Sequence, residues 1–499
     1  MHSSLSSPRH HLLLLLLLCP AQAFAADTPE SPSITQAWAA AVLRLDDSQL
    51  APEILDKLSY TLADSVGILA YTSQLEECRR FAALQPDAAG NTPAAHELVT
   101  GRRVSTADAA AINAFAIHGH EIDDSNLRNQ LRASCVAIPA ALAAAETRDV
   151  SGQEFLTSLA IAFQIGDSLG TSLNRQPAGR LHASGWMPSA IGGTLAAAAA
   201  TGKLFELSAD DLASALALSA GGAGGLFQYY FDGSDEKRIH VARAQRVGVE
   251  SAFLAQAGFR GALLAIEGPA GLVRALGQGP RREELLAGID RWDAVLHVKP
   301  KFFACSQGVI PWLEVLAPLH AGPHPAADQI EQITLFLNRP EGDFYIRKIN
   351  QFQPPANLLE AQLNVNFGIG LFWNEGQAFI DQYVESMLDD PAVLALARRV
   401  KAVNDPKQEG RIEIRDRQGR VLVGKYDRAT LDQPYRPVEA DYRRKFDQLT
   451  SRLAADQREA LWRHARQVKA APSMRTWVAE LVEFLQVAPQ PQPAGAASR

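Results

Sequence analysis

From Ser33 to about Arg291, apolar residues, mostly alanine and leucine, recur at three- and four-residue steps, which places them on one face of a helix. After Ser105, the positions Ala109, Ile112 and Ala116 follow this step. A helix is predicted there, ending near His120, with Glu121-Ile122-Asp123-Asp124-Ser125 in the turn beyond it. Helix starts are marked by Ser105 with Asp108, Ser151 with Glu154 and Ser208 with Asp211, where a hydroxyl can cap a free backbone N–H. Side chains this small let helices approach closely, as a large buried bundle requires.

The pattern changes near Val298. Ile333, Leu335 and Leu337 alternate with Gln332 and Thr334, a strand signal. Ile412 and Ile414, the turn Asp416-Arg417-Gln418-Gly419, then Val421 and Val423 read as a hairpin. Between them Asp390-Pro391 opens a helix through Leu394 and Val400. The expected fold class is therefore mainly α: a large all-helical domain plus a smaller α/β domain over 298–435. Residues 439–486 turn helical again and are expected to return to the first domain, 34–295. The Pro/Gln/Ala-rich tail, 487–499, is expected to be disordered.

The first 25 residues read as a signal peptide. Arg9, His10 and His11 precede the leucine run Leu12 to Leu18, and Ala21-Gln22-Ala23 and Ala23-Phe24-Ala25 supply cleavage motifs. So short a run cannot span ~30 Å of hydrocarbon, so the expectation is an exported chain, periplasmic or secreted, that begins near Ala26.

At 499 residues the chain exceeds what one core normally serves, so two domains are expected. A net charge of -7 argues against nucleic-acid or membrane partners, which demand clustered positive charge. The basic cluster Tyr442-Arg443-Arg444-Lys445 reads as a solvated helix face. Once Cys19 leaves with the signal, Cys78, Cys135 and Cys305 remain without metal-ligand spacing, and either one disulfide or three buried thiols is open.

Three clusters of residues could carry chemistry. The first is His118-Gly119-His120-Glu121-Ile122-Asp123-Asp124-Ser125, where ionisable groups crowd a helix end. It reads as a site or as a solvated turn with a histidine favoured by the helix dipole. His118 and His120 stand two apart and point to different helix faces, which argues against a metal site. The second runs from Gly233 through Lys237, Arg238 and His240 to a small-residue helix from Ala242, and in its bland form is an exposed charged loop. The third is Lys299-Pro300-Lys301-Phe302-Phe303-Ala304-Cys305-Ser306, where Cys305 reads as core packing because no nucleophile signature surrounds it.

These clusters, in this order, resemble the MmgE/PrpD family of 2-methylcitrate dehydratases, cis-aconitate decarboxylases and iminodisuccinate epimerases. Asn113 to Ser125 is similar to its N-x-x-x-x-H-x-x-D-F-D-D-T segment. Gly233 to Gly248 is similar to its G-x-x-x-K-R-L-H-x-G-x-A-A-x-x-G stretch, and Asp390 to Val400 to its D-P-x-V-x-x-L-A-x-R-V helix. The resemblance implies an all-helical domain, an α/β lid, a site between them, homodimers, and no cofactor or metal. It also places the chain's departures. Arg132-Ala133 stands where the family has a histidine-proline pair, and Met187 and Ile310 stand at two further family histidines. Phe367 stands at a family tyrosine, in the segment that includes Asn366, while Glu121 and Ser125 are milder changes from Asp and Thr.

Arginine does not exchange protons at neutral pH, Met187 and Ile310 cannot, and Phe367 has no hydroxyl. The usual acid/base set is stripped, which argues against a methylcitrate dehydratase or cis-aconitate decarboxylase. The residues left to act are Lys237, Lys301, Asp123 and Ser125, with Arg132, Glu121, Asp124, Met187, His240, Asn366 and Phe367 expected to bind substrate. Among these, Lys237 is the favoured base, because a lysine buried or crowded by cations loses its proton more readily. Trp186, Phe227, Tyr229, Tyr230, Phe302 and Phe303 suit a small-molecule substrate larger and more apolar than methylcitrate. The expected activity is a cofactor-independent lyase or isomerase that moves a proton beside a carboxylate or carbonyl. A non-catalytic carboxylate-binding protein, or an isomerase or cyclase of a secondary metabolite that works by shape, is the alternative.

Overall fold

Three helices at the centre of the structure are apolar on every side. Thr106–Ile117 buries every residue except Asp108, Pro188–Leu204 every residue except Lys203, and Ala133–Arg148 all but its last two. Such helices belong inside a bundle rather than on its surface. The computed structural model, which describes residues 31–126, 128–174, 180–279, 281–339, 343–426 and 439–486, surrounds them with further helices. Pro188–Leu204 packs on Ala133–Arg148, Gly152–Asn174, Ala209–Gly222 and Glu236–Gln256. Its approach to the last is a backbone contact, because a Cβ at Gly248 would lie 2.6 Å from the Thr194 carbonyl oxygen. The serine caps expected at 105, 151 and 208 are all present, each hydroxyl accepting the backbone N–H three residues on. The expected signal peptide and C-terminal tail lie outside the described residues.

Beyond Val298 a four-stranded sheet forms. Strand β1 (Ile330–Leu337) pairs in parallel with β2 (Val400–Asn404) and antiparallel with β3 (Arg411–Asp416), and β3 turns into β4 (Val421–Lys425). The expected hairpin is β3–β4, closed by Gly419 at φ +80° and by Asp416, whose carboxylate accepts the backbone N–H of Gln418 and Arg420. One boundary moves: the helix after Asp390 ends at Ala397, and Val400 opens β2 opposite Ile333. Val400 continues the apolar step of the helix, so sequence spacing alone could not separate the two elements.

Buried apolar side chains gather into two clusters. One draws on residues from Ile34 to Val298 and from Tyr442 to Leu485. The other draws on residues from Ala304 to Ile414 and is joined by Ile68, Ile122 and Leu449. The helix Glu439–Leu449 packs on Pro52–Thr72, and this contact overturns the reading of Tyr442-Arg443-Arg444-Lys445 as a solvated face. Tyr442 and Lys445 lie one helical turn apart and are buried, while Arg443 and Arg444 face outward. Lys445 donates to the Asp64 carboxylate at 2.7 Å and to the Ile122 carbonyl at 2.8 Å. Among the described residues, Cys78, Cys135 and Cys305 are buried free thiols.

Removing one partner of a fully buried ion pair strands the other charge. Lys445→Met should therefore cost about 3–5 kcal/mol in urea unfolding. Adding Asp64→Asn should recover part of that loss, and a neutral single variant would contradict the pairing.

Candidate active site

The Thr106–Ile117 helix ends just short of the expected His120, and the turn expected beyond it follows with a left-handed backbone that sequence spacing did not suggest. His118 caps the helix, and the next two side-chain-bearing residues, His120 and Glu121, both adopt left-handed backbone at φ +55° and +53°. Each such residue costs on the order of 1 kcal/mol or more, so the turn needs external support. That support comes from side-chain donors elsewhere in the chain. Gln362 donates to the carbonyl of His120 at 2.9 Å, Lys301 to that of Glu121 at 2.9 Å, and Lys445 to that of Ile122 at 2.8 Å.

The side chains of the turn form a dry ionic network. Glu121 is buried among three cations: it is paired with Lys237, 3.3 Å from Lys301 and 3.6 Å from Arg132. Burial alone would raise its carboxyl, but these cations hold it far below the ordinary carboxylate range. Asp123 is also held well below that range, because His118 and Lys301 outweigh the cost of burial. His118 bridges the two sides of the network. Its Nδ1 lies 2.7 Å from Asp123, and its Nε2 lies 2.9 Å from the Lys237 amine. Burial, reinforced by the charge of Lys237, pushes this imidazole down to about 4. It is therefore neutral at pH 7, donating from Nδ1 to the carboxylate and accepting at Nε2 from the lysine.

Lys237 is the link to open space. It lies in the first turn of the helix Glu236–Gln256, which corrects its placement in a loop before a helix starting at Ala242. Burial lowers its pKa from the ordinary 10.5, with Arg132 and Lys301 adding to the effect against Glu121 and Asp123. Lys237 lines a cleft of about 550 Å³ with Arg132, Met187, Tyr229 and Tyr230 on one side and Gln307, Arg339 and Tyr345 among those on the other. Arg132 donates to the Ser125 hydroxyl, and its backbone N–H is fixed by the Ser189 hydroxyl at 3.0 Å.

The other expected site residues are placed differently. Lys301 and Ser125 face a neighbouring hollow of about 30 Å³ instead of the cleft, and Asp123 and Glu121 sit within the network behind it. Asp124 is a capping residue, accepting the backbone N–H and hydroxyl of Ser134 at the start of the Ala133–Arg148 helix, and burial raises its carboxyl to about 6. His240 does not line the cleft. Its Nε2 accepts the Leu226 N–H at 3.2 Å, and its ring lies against Gly225, whose φ of +141° and lack of a Cβ allow the contact. It thereby positions the segment carrying Phe227, Tyr229 and Tyr230. Asn366 donates to the carbonyls of Ile349, Ala397 and Val400, tying together the sheet and the helices of the second cluster. Phe367 packs in that same apolar cluster beside Tyr383.

Among the aromatic residues, Phe227, Tyr229 and Tyr230 do line the cleft, together with Phe231 and Phe344, which the sequence reading missed. Phe227 stacks on Tyr230 at 5.0 Å between ring centres, and Phe231 lies 5.5 Å from Phe344. Phe303 instead packs on Phe372, and Phe302 lies under Arg444. The cleft also holds His182, Arg339 and Tyr345, for which the sequence offered no motif.

One group could be drawn as a metal site: ligand atoms of His118, Asp123 and Cys135 lie within 4.8 Å of one another. The donor chemistry does not suit an ion. The His118 nitrogen is already bonded to Asp123, and burial pushes the Cys135 thiol well above its ordinary value, away from the thiolate that would bind metal.

Comparison with known proteins places these features in context. The MmgE/PrpD N-terminal domain model matches residues 36–285 and the MmgE/PrpD C-terminal domain model residues 303–469. A cis-aconitate decarboxylase-like protein of Aspergillus oryzae is 28% identical over 76% of this chain and 80% of its own length. A cis-aconitate decarboxylase of Aspergillus terreus is 23% identical over 73% of this chain and 76% of its own. The human cis-aconitate decarboxylase is 26% identical over 46% of this chain and 47% of its own.

The reassignment of Asn366 can be checked. Asn366→Leu should cost about 1–3 kcal/mol or more in urea unfolding, because buried carbonyls lose their donor. Carboxylate binding, measured by calorimetry under folding conditions, should not change. Loss of binding with unchanged stability would return Asn366 to the site.

Proposed function

This chain belongs to the MmgE/PrpD family and is a lyase of that type, and from this premise we propose that Lys237 removes a proton beside a substrate carboxylate held by Arg132. One observation carries the reading: the Lys237 amine is held by His118 Nε2 and by Glu121 while the side chain also lines the cleft. Two of its four tetrahedral positions around nitrogen are thus committed to the network. The chain's own carbon takes a third, and the last is left for a substrate.

The chemistry follows from the charges. The C–H bond beside the carboxylate breaks, its proton passes to the Lys237 nitrogen, and the electron pair moves into the carboxylate as an enediolate facing the Arg132 guanidinium. That pair then forms the C=C bond while a β-substituent departs with the electrons of its own bond to carbon, or the proton returns and the product is an isomer. Burial keeps the Tyr229 phenol protonated, so it serves as a hydrogen-bond donor to the developing oxyanion or leaving group and not as a base. The substrate is proposed to be larger and more apolar than methylcitrate, because Phe227, Tyr230, Phe231 and Phe344 line the same cleft. We further propose, on the expected signal peptide alone, that this activity lies outside the cytoplasm, and an intact mass beginning near Ala26 in an exported fraction tests that part of the proposal.

If Lys237 is the base, Lys237→Met and Lys237→Arg should each lower turnover about 10²–10⁴-fold, since arginine keeps the charge but does not release its proton. Retained turnover in the arginine variant would reduce Lys237 to an anion clamp. The amine acts unprotonated, so kcat should rise with pH through a limb on the acidic side of the ordinary lysine value of 10.5. A limb at or above that value would contradict the depressed lysine.

A second check concerns substrate choice. 2-Methylcitrate and cis-aconitate should be at best poor substrates, and dicarboxylates with alkyl or aryl substituents should raise the melting temperature more than either. The reverse order would contradict the aromatic subsite.

A further inference from the structure

His182 belongs to no motif recognised in the sequence, yet it lines the cleft with Arg132 and Lys237. It sits on the short helical turn Arg180–Ala183, whose exit is fixed by hydrogen bonds from Gly185 N–H to the His182 carbonyl and from Trp186 N–H to the Leu181 carbonyl. Its ring packs on Phe227 at 4.2 Å between centres, which holds the plane of the imidazole. Among the described residues no hydrogen-bond partner is found for either ring nitrogen. The two histidines of the ionic turn are differently placed: His118 bridges Asp123 and Lys237, and His120 packs on Tyr71 near Glu77 and does not line the cleft. An imidazole held by a tilted ring contact, open to the cleft and without a hydrogen-bond partner among the described residues is available to a ligand.

We propose that His182 is the second proton carrier of this cleft, taking up a proton when a dicarboxylate binds and handing it to the group that departs. The inference rests on the proposed lyase reading, which supplied one base and left the acid unassigned. The cleft's other charged groups are Arg132, Lys237, Arg339 and Asp343. Burial, with the charge of Arg132 added, holds the empty-site imidazole near 3, so it carries no proton at neutral pH. An incoming dianion neutralises Arg132 and sets negative charge beside the ring, which favours the protonated form against the cost of burial, and the ring then takes a proton from solvent. For a β-hydroxy acid, the C–H proton goes to Lys237 and its electron pair forms the C=C bond. The C–O bond breaks with its pair on oxygen, and the imidazolium proton joins that oxygen to release water. The imidazole ends neutral, and the ammonium of Lys237 returns its proton to solvent.

The test uses the full-length chain and phenylsuccinate, a dicarboxylate with an aryl group and no leaving group, with citrate as a second probe. Calorimetry at pH 7 in buffers of different ionisation enthalpy reads the protons taken up on binding. Wild type should take up protons, His182→Gln should bind with clearly less uptake, and His182→Phe, which keeps a ring against Phe227, should behave like the glutamine variant. Turnover of any accepted hydroxy acid should fall about 10²-fold or more in both variants and rise again with added imidazole in His182→Gly. Equal proton uptake in wild type and both variants would overturn the proposal while leaving Lys237 and the anion site standing. Failure of either anion to bind wild type would overturn the anion-binding cleft and His182 with it. Uptake lost in His182→Gln but kept in His182→Phe would also overturn it, by assigning the effect to another group.

Discussion

The structure depends on keeping one strained, charged turn dry. Between His118 and Ser125 the backbone takes two consecutive left-handed residues and places Glu121, Asp123 and Asp124 in the interior. Neither feature would survive alone, since the backbone is strained and the charges are stripped of water. The turn persists because its successive carbonyls accept from Gln362, Lys301 and Lys445, three donors far apart in sequence. Two of them, Lys301 and Gln362, lie between Val298 and the last helical region, which supplies the third. The packing of these distant segments and the geometry of the turn are therefore one constraint seen from two sides.

The same constraint sets the chemistry. With His118 neutral, the network holds three cations, Lys237, Lys301 and Arg132, against the two carboxylates Glu121 and Asp123. A buried excess of positive charge can be relieved in two ways: one lysine gives up its proton, or an anion arrives. Of these three cations, Lys237 and Arg132 reach the cleft, so both forms of relief occur at the same place. On the proposed reading, this charge balance serves both to hold a carboxylate and to accept a proton beside it, with no histidine at the positions where the family resemblance led one to expect them.

Much of the framework was legible in the sequence because it rests on local signals. Serine caps, the alanine-rich helical step and the Asp416–Gly419 turn each declare themselves within a few residues. The site was only half legible. Lys237, Arg132 and Met187 reach the cleft, but Asp124, His240, Asn366 and Phe367, in equally suggestive positions, hold the scaffold. A polar residue near a site looks the same in sequence whether it faces a ligand or satisfies a backbone carbonyl, and only the fold decides. Lys445 shows the opposite error: within a run of basic residues it looked solvated, yet it reaches the core because its neighbour one turn away, Tyr442, is also buried. His182 left no signal, since its position against Phe227 joins segments more than forty residues apart.

The ionisation of Lys237 tests the account most directly, and it can be followed without any substrate by NMR detection of lysine side-chain nitrogens across pH, assigned with the Lys237→Arg variant. The account requires its amine to titrate below the ordinary 10.5 in the native protein, and to move upward when a dicarboxylate fills the cleft. A Lys237 that titrates at or above the ordinary value, unmoved by the anion, would contradict it.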